Sequence, residues 1–430
     1  AIQADTGAIG PWTKEFIFGN ETSEDCLYLN VWTAAKASSE RRPVLVFIHG
    51  GAFTGGSGEV AVYDGEELAK KGLVVVTINY RLGVLGFLAH PELTKESPHH
   101  SSGNYGLLDQ LAALKWVQRN IGAFGGDAKR VTIAGQSAGA ASVHYLIASP
   151  LARGLFHRAI AESGSSPHSG DARPREDAER DGARLAESKG ARSLAELRAQ
   201  PARELVSGGT FRFGPVVDGW FLPAGGPAIL AQGKQNDVPT LTGVNADEGS
   251  ASPTYGRASL EEYQKRVRDR FGEQSEEFLR LYPARSDAEA AQAEKESARH
   301  EDLVSQALWA EDRAKTAKTR TFLYYFDRVI PWPRHPEYQA FHTSEVPYVF
   351  RNLKMLDRPW EPADWKTADL VSSYWVHFAT KGDPNGPGLP EWPAFNPGAP
   401  KVMRLDDRPA PIPLPEVGRT DLLRNLLKRE

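Results

Sequence analysis

The fold turns on Val131-Thr132-Ile133-Ala134-Gly135-Gln136-Ser137-Ala138-Gly139, which the small-residue stretch Ala140 to Ile147 follows. An apolar β-branched run leads into a glycine-flanked turn carrying a serine, and a helix-forming run leads out of it. That order suits a nucleophile. A serine at a sharp strand-to-helix turn is strained and exposed, and glycines two before and two after let neighbouring chain pass without Cβ clashes. The helix then aims its amides and positive dipole end at charge developing on a substrate. A turn rich in small residues is the plain alternative, and the motif alone is a weak signal. Its placement between a buried strand and a helix favours Ser137 as nucleophile.

A second glycine turn, His49-Gly50-Gly51-Ala52-Phe53, follows the apolar run Pro43 to Ile48. Consecutive amides exposed at a strand's carboxyl end can hold an oxyanion, although further glycines at 55, 56 and 58 also fit a merely flexible loop. Leu73 to Tyr80 is another apolar run, and Leu107 to Asn120 between it and Val131 has apolar residues at helical spacing. Strand, helix, strand implies a right-handed parallel crossover. Arg158 to Glu162, Val238 to Val244 and Thr321 to Phe326 are further short strands. The fold class is α/β: an open, mostly parallel sheet with helices on its faces. Charged, alanine-rich stretches at 171–206 and 259–318 predict helical insertions near the site, and Ala368 to Thr380 predicts another amphipathic helix. No repeat or low-complexity linker divides the chain, so residues 1–430 are expected to form one large domain.

Composition narrows the partners. Of 430 residues, 25% are charged and 40% hydrophobic, as in an ordinary globular protein. The 51 basic residues against 55 acidic ones leave a net charge of -4, with no basic stripe to track a nucleic acid. No apolar run is long enough to span a membrane, and the opening residues lack a signal-peptide layout. The chain is expected to be soluble, and either cytosolic or already trimmed. Its single cysteine, Cys26, excludes an intrachain disulfide and a thiolate-rich zinc site, and no metal or cofactor is implied.

With these features together, the chain resembles a type-B carboxylesterase, the α/β-hydrolase family that includes bacterial carboxylesterases, cholinesterases and the adhesion protein neuroligin. Matching segments are Ser23 to Trp32, Val76 to Leu88, Asn104 to Asp127, Gly243 to Ser250, His342 to Phe350 and Phe378 to Asn385, besides the two glycine turns. They run over nearly the whole chain.

A serine nucleophile needs a base within hydrogen-bond reach and a carboxylate to orient that base, in the chain order serine, acid, histidine. His300 and His377 fall on helices, whereas His335 and His342 both follow the strand Thr321 to Phe326 on a loop, and the physics of the sequence does not separate them. The resemblance selects His342. Asp247 and Glu248 are adjacent carboxylates after the strand Val238 to Val244, and the family motif gives the orienting role to Glu248, with Asp247 as support. The same resemblance implies Gly51, Ala52 and Ala138 as oxyanion amides, and Ser163 and Glu345 as polar residues supporting the site. It implies ester hydrolysis through an acyl-enzyme, with a small-molecule ester as the partner.

Three departures stand out. Cholinesterases carry glutamate before the nucleophile and this chain has Gln136, which favours neutral esters over choline esters. Cys26 lacks the upstream partner that the family pairs with it. The Gly-Ile-Pro-Tyr-Ala stretch that opens family members has no match, so an N-terminal family segment is expected to be missing. Rival readings are a lipase, an amide or carbamate hydrolase, and a neuroligin-like recognition protein. An intact Ser137, Glu248 and His342 weighs against the last, and the charged character of the insertions against a lipase lid. Trp220, Phe221, Tyr255 and Phe211 are candidates for a substrate pocket, although large aromatics are more often core.

Overall fold

Apolar β-branched runs pair side by side into one sheet. Its strands are β1 (Leu29–Thr33), β2 (Arg42–Ile48), β3 (Val74–Ile78), β4 (Gly126–Gln136), β5 (Arg158–Glu162), β6 (Thr240–Asn245), β7 (Thr321–Phe326), β8 (Lys401–Leu405) and β9 (Ala410–Pro413). Their order is β1-β3-β2-β4-β5-β6-β7-β8-β9. From β3 to β8 every neighbouring pair is parallel, and β1 and β9 close the two edges antiparallel. The strand-helix-strand crossover carries the chain from β3 past β2, so that β3 and β4 flank β2 rather than pair with each other. The computed structural model describes residues 1–3, 9–164, 172–207 and 211–428; Asp171, the expected start of the first insertion, lies outside them.

Alternation along each strand divides the core between the two faces. Val44, Val46 and Ile48 pack with α1 (Tyr105–Asn120) and α2 (Ala138–Ala148). Leu45 and Phe47 face the other way, into a cluster that includes Phe322, Trp375 and Trp392. Each central strand is therefore buried on both faces, which explains its near-continuous apolar sequence.

Helices occupy the two charged stretches. Arg175–Ser188, Leu194–Arg198 and Ala202–Val206 lie between β5 and β6. Leu260–Phe271, Ser275–Leu281 and α3 (Asp287–Ala314) lie between β6 and β7. The expected helix near Ala368 runs over Pro362–Lys381 and forms α4. Cys26 is buried and unpaired. Among the described residues, no helix is long and apolar enough to cross a membrane.

Candidate active site

Parallel strands place their carboxyl ends, and the loops after them, along one edge of the sheet. Ser137 follows β4 there, with φ 59° and ψ −123°, a conformation an L-residue adopts only under strain. Its amide donates to the Glu162 carbonyl at 2.8 Å, tying the turn to the end of β5. The glycine at 139 is required by a close approach: a Cβ there would stand 2.0 Å from the Ile48 carbonyl oxygen. Strand β2 can therefore run directly behind the serine.

The turn after β2 brings Gly51 and Ala52 beside this serine-bearing corner, with positive φ of 106° and 54°. The Gly51 carbonyl accepts from the Thr54 and Gly55 amides, and the amides of Gly51, Ala52 and Ala138 donate to no acceptor among the described residues. His49 is locked in place below: its ring stacks on Tyr80 and its Nδ1 lies 2.7 Å from the Gly50 carbonyl. Burial holds its pKa down at about 4, so it is neutral at physiological pH.

Loops after β6 and β7 meet through a parallel bridge between Asp247 and Phe341. That bridge brings Glu248 to His342. His342 Nδ1 lies 2.5 Å from Glu248 Oε2, and Glu248 Oε1 accepts the Asn245 amide at 2.7 Å. Burial opposes charge on the imidazole, but the Glu248 carboxylate and its hydrogen bond overcome that and raise the pKa of His342. Burial likewise works against the Glu248 charge; His342, the Asn245 amide and nearby Ser163 outweigh it and hold its pKa below the ordinary value. His342 Nε2 lies 3.3 Å from Gln136 Nε2. With Nδ1 protonated toward Glu248, Nε2 carries the ring's lone pair and faces the Gln136 amide. Ser137 Oγ makes no hydrogen bond among the described residues.

The other expected residues are distributed differently. Asp247 is fully buried and accepts from Arg299 Nη2 at 2.8 Å, Arg299 Nε at 3.2 Å and the Tyr255 hydroxyl at 3.0 Å. Tyr255 therefore braces Asp247. Ser163 follows β5 with a positive φ of 57° and lies beside Glu248, and Glu345 is fully buried, accepting from Asn245 Nδ2 at 2.5 Å. His335 is apart from this group, on Glu337 at 3.2 Å, and His300 contacts the Tyr282 hydroxyl. Phe221 is fully buried core, and Trp220 stacks against His99. Phe211 and Phe213 line a small cavity of about 170 Å³ with Thr54 and Leu82, close to the Gly51 turn.

Two contributors have no local signature in the sequence. Arg299 reaches Asp247 from α3. Trp12 donates its Nε1 to Thr343 Oγ1 at 2.9 Å and to the His342 carbonyl at 3.2 Å, and its ring meets the imidazole edge-on. A tryptophan so far upstream gives no sign that it holds the histidine loop.

The sheet order and the strand-turn-helix at Ser137 define an α/β-hydrolase. The model of the carboxylesterase family matches residues 6–416, and the chain belongs to that family as a carboxylic ester hydrolase. It is 40% identical over 408 residues to fumonisin B1 esterase of Sphingopyxis macrogoltabida, covering 87% of this chain and 71% of that protein. Over 412 residues it is 35% identical to para-nitrobenzyl esterase of Bacillus subtilis, covering 89% and 79%. Human cocaine esterase is 34% identical over 411 residues, covering 87% and 70%.

Proposed function

We propose that this carboxylesterase uses Ser137 as nucleophile, His342 as general base and acid, and Glu248 as the carboxylate that orients His342. The observation that carries the reading is the 2.5 Å contact between His342 Nδ1 and Glu248 Oε2 beside the strained Ser137 turn. Glu248 keeps the Nδ1 proton in place, so Nε2 presents its lone pair to the serine hydroxyl. In the resting arrangement the Gln136 amide occupies that lone pair, and substrate binding exchanges it for Ser137.

Ser137 Oγ then attacks the ester carbonyl carbon as His342 takes its proton. The carbonyl oxygen becomes an oxyanion, held by the free amides of Gly51, Ala52 and Ala138. Collapse breaks the ester C–O bond, and His342 returns the proton to the departing alcohol. Water repeats the sequence on the acyl-enzyme, releasing the acid and restoring Ser137. Gln136 is uncharged and fully buried beside His342, which favours neutral ester substrates.

A fluorophosphonate reagent followed by peptide mass mapping tests the nucleophile. One adduct on Ser137 with complete loss of esterase activity is expected. Inactivation with the label elsewhere and Ser137 unmodified would contradict the assignment.

A further inference from the structure

Strand β5 reads Arg-Ala-Ile-Ala-Glu over Arg158–Glu162, and its last residue is an acid with no exposed surface. Glu162 Oε1 accepts from Trp375 Nε1 at 2.6 Å, and Oε2 has no partner among the described residues. Glu345, three residues past His342, repeats the pattern. It has no exposed surface, Oε2 accepts from Asn245, and Oε1 has no partner among the described residues. Gln136 Oε1 and Asn245 Oδ1 are likewise buried without partners among them. These four atoms belong to the ends of β4, β5 and β6 and to the loop carrying His342.

The groups facing the two acids are Glu248 and His342 in the site, Tyr63 from the loop after β2, and Tyr324 on β7. Asp302, on α3, also faces Glu248. Among the described residues no lysine or arginine pairs with either acid. An unpaired carboxylate in such a place is strongly disfavoured, and the group keeps its proton instead. Burial pushes both carboxyl pKa values up, and the charges of Glu162 and Glu248 push that of Glu345 further. A protonated carboxyl also supplies an O–H donor where acceptors are left over.

We propose that Glu162 and Glu345 are positioning residues, two buried acids that each keep their proton behind His342, so that among the described residues Glu248 is the charged carboxylate that faces the imidazole. The resemblance to the family points to Glu345 alone; the pairing with Glu162 rests on the shared burial and leftover oxygens. The proposal also rests on His342 being the base. While both acids keep their protons, His342 responds to Glu248; an ionised acid in either place would raise the pKa of the imidazole further and move the acid limb of the rate profile to higher pH.

The test uses Glu162→Gln and Glu345→Gln, which keep the shape and neutrality of the protonated acids. The readout is the pH profile of kcat/KM. The acid limb should stay where it is in both variants. A shift of that limb to lower pH would show that a negative charge had been deleted, so that the acids are ionised during turnover, and would overturn the proposal. If either variant fails to fold, carbon-13 NMR of glutamate-labelled wild-type protein decides. Two side-chain carboxyls should stay protonated well above the ordinary carboxyl range; titration of every glutamate within it would overturn the pair. This titration does not depend on activity, so it stands even if Ser137→Ala were to retain activity and the assignment of His342 were lost.

Discussion

Asp247 and Glu248 are neighbours in the chain, yet their carboxyls serve different partners: Asp247 is clamped by Arg299 and Tyr255, and Glu248 is held against His342. One residue fixes the loop and the other faces the chemistry. The division follows from the backbone at 247, where a bridge to Phe341 pins the peptide and the Asp247 amide donates to the Ala340 carbonyl at 3.0 Å.

Glu248→Gln tests the orienting role through pH. His342 must be neutral to act as base, so kcat/KM falls as pH drops through its pKa, which Glu248 holds above the ordinary histidine value against the opposing effect of burial. Without that carboxylate the pKa falls and the acid limb moves to lower pH. The amide also fails to enforce the productive tautomer, so kcat should drop on the order of 10⁴-fold. A pH–rate profile of the variant checks both; an unmoved limb with near-normal kcat would contradict the role.

Arg299→Met tests the clamp. It leaves the Asp247 carboxylate buried without its cation, which typically costs about 3–5 kcal/mol. Denaturant unfolding should show a clearly lower midpoint, and esterase activity should fall with it, because Asp247 joins the two loops carrying Glu248 and His342. Full stability in the variant would contradict the clamp.

Gly139→Ala tests the corner behind the nucleophile. Its Cβ would meet backbone, the Ile48 oxygen at 2.0 Å, rather than the movable end of a side chain, so β2 or α2 must shift. The expected outcome is poor recovery of folded protein, or folded protein with greatly reduced turnover. Gly122→Ala, where nothing lies within 4 Å of the added Cβ, serves as the control and should behave as wild type in thermal melts.

Much of this architecture is legible from the chain. β2, β3 and β7 are apolar runs of strand length because both faces are covered, and β4 shows only its buried half, from Val131, since it starts on the partly exposed Gly126 to Arg130. β1 is harder to see, since Leu29–Thr33 is short and mixes apolar and polar residues at a partly exposed edge. β9 is hidden by Pro411 and Pro413, which only an edge strand tolerates. Ser137 announces itself through its glycines, because sterics at the turn restrict the residue type. His342 does not: it and His335 occupy the same loop, and only the tertiary bridge at Phe341 brings one of them to Glu248. Arg299 and Trp12 act across long sequence separations and leave no local pattern. Glu162 leaves a trace, an acid that ends a strand directly after the apolar run Ala159 to Ala161.

The central claim is that Ser137 attacks the ester carbonyl, and hydrolysis of p-nitrophenyl esters of increasing acyl length by wild type and Ser137→Ala tests it most directly. The account predicts mutant-sensitive turnover that favours short acyl chains, and a variant that melts like wild type but has lost nearly all activity. Most of the activity surviving in pure, folded Ser137→Ala protein would contradict it.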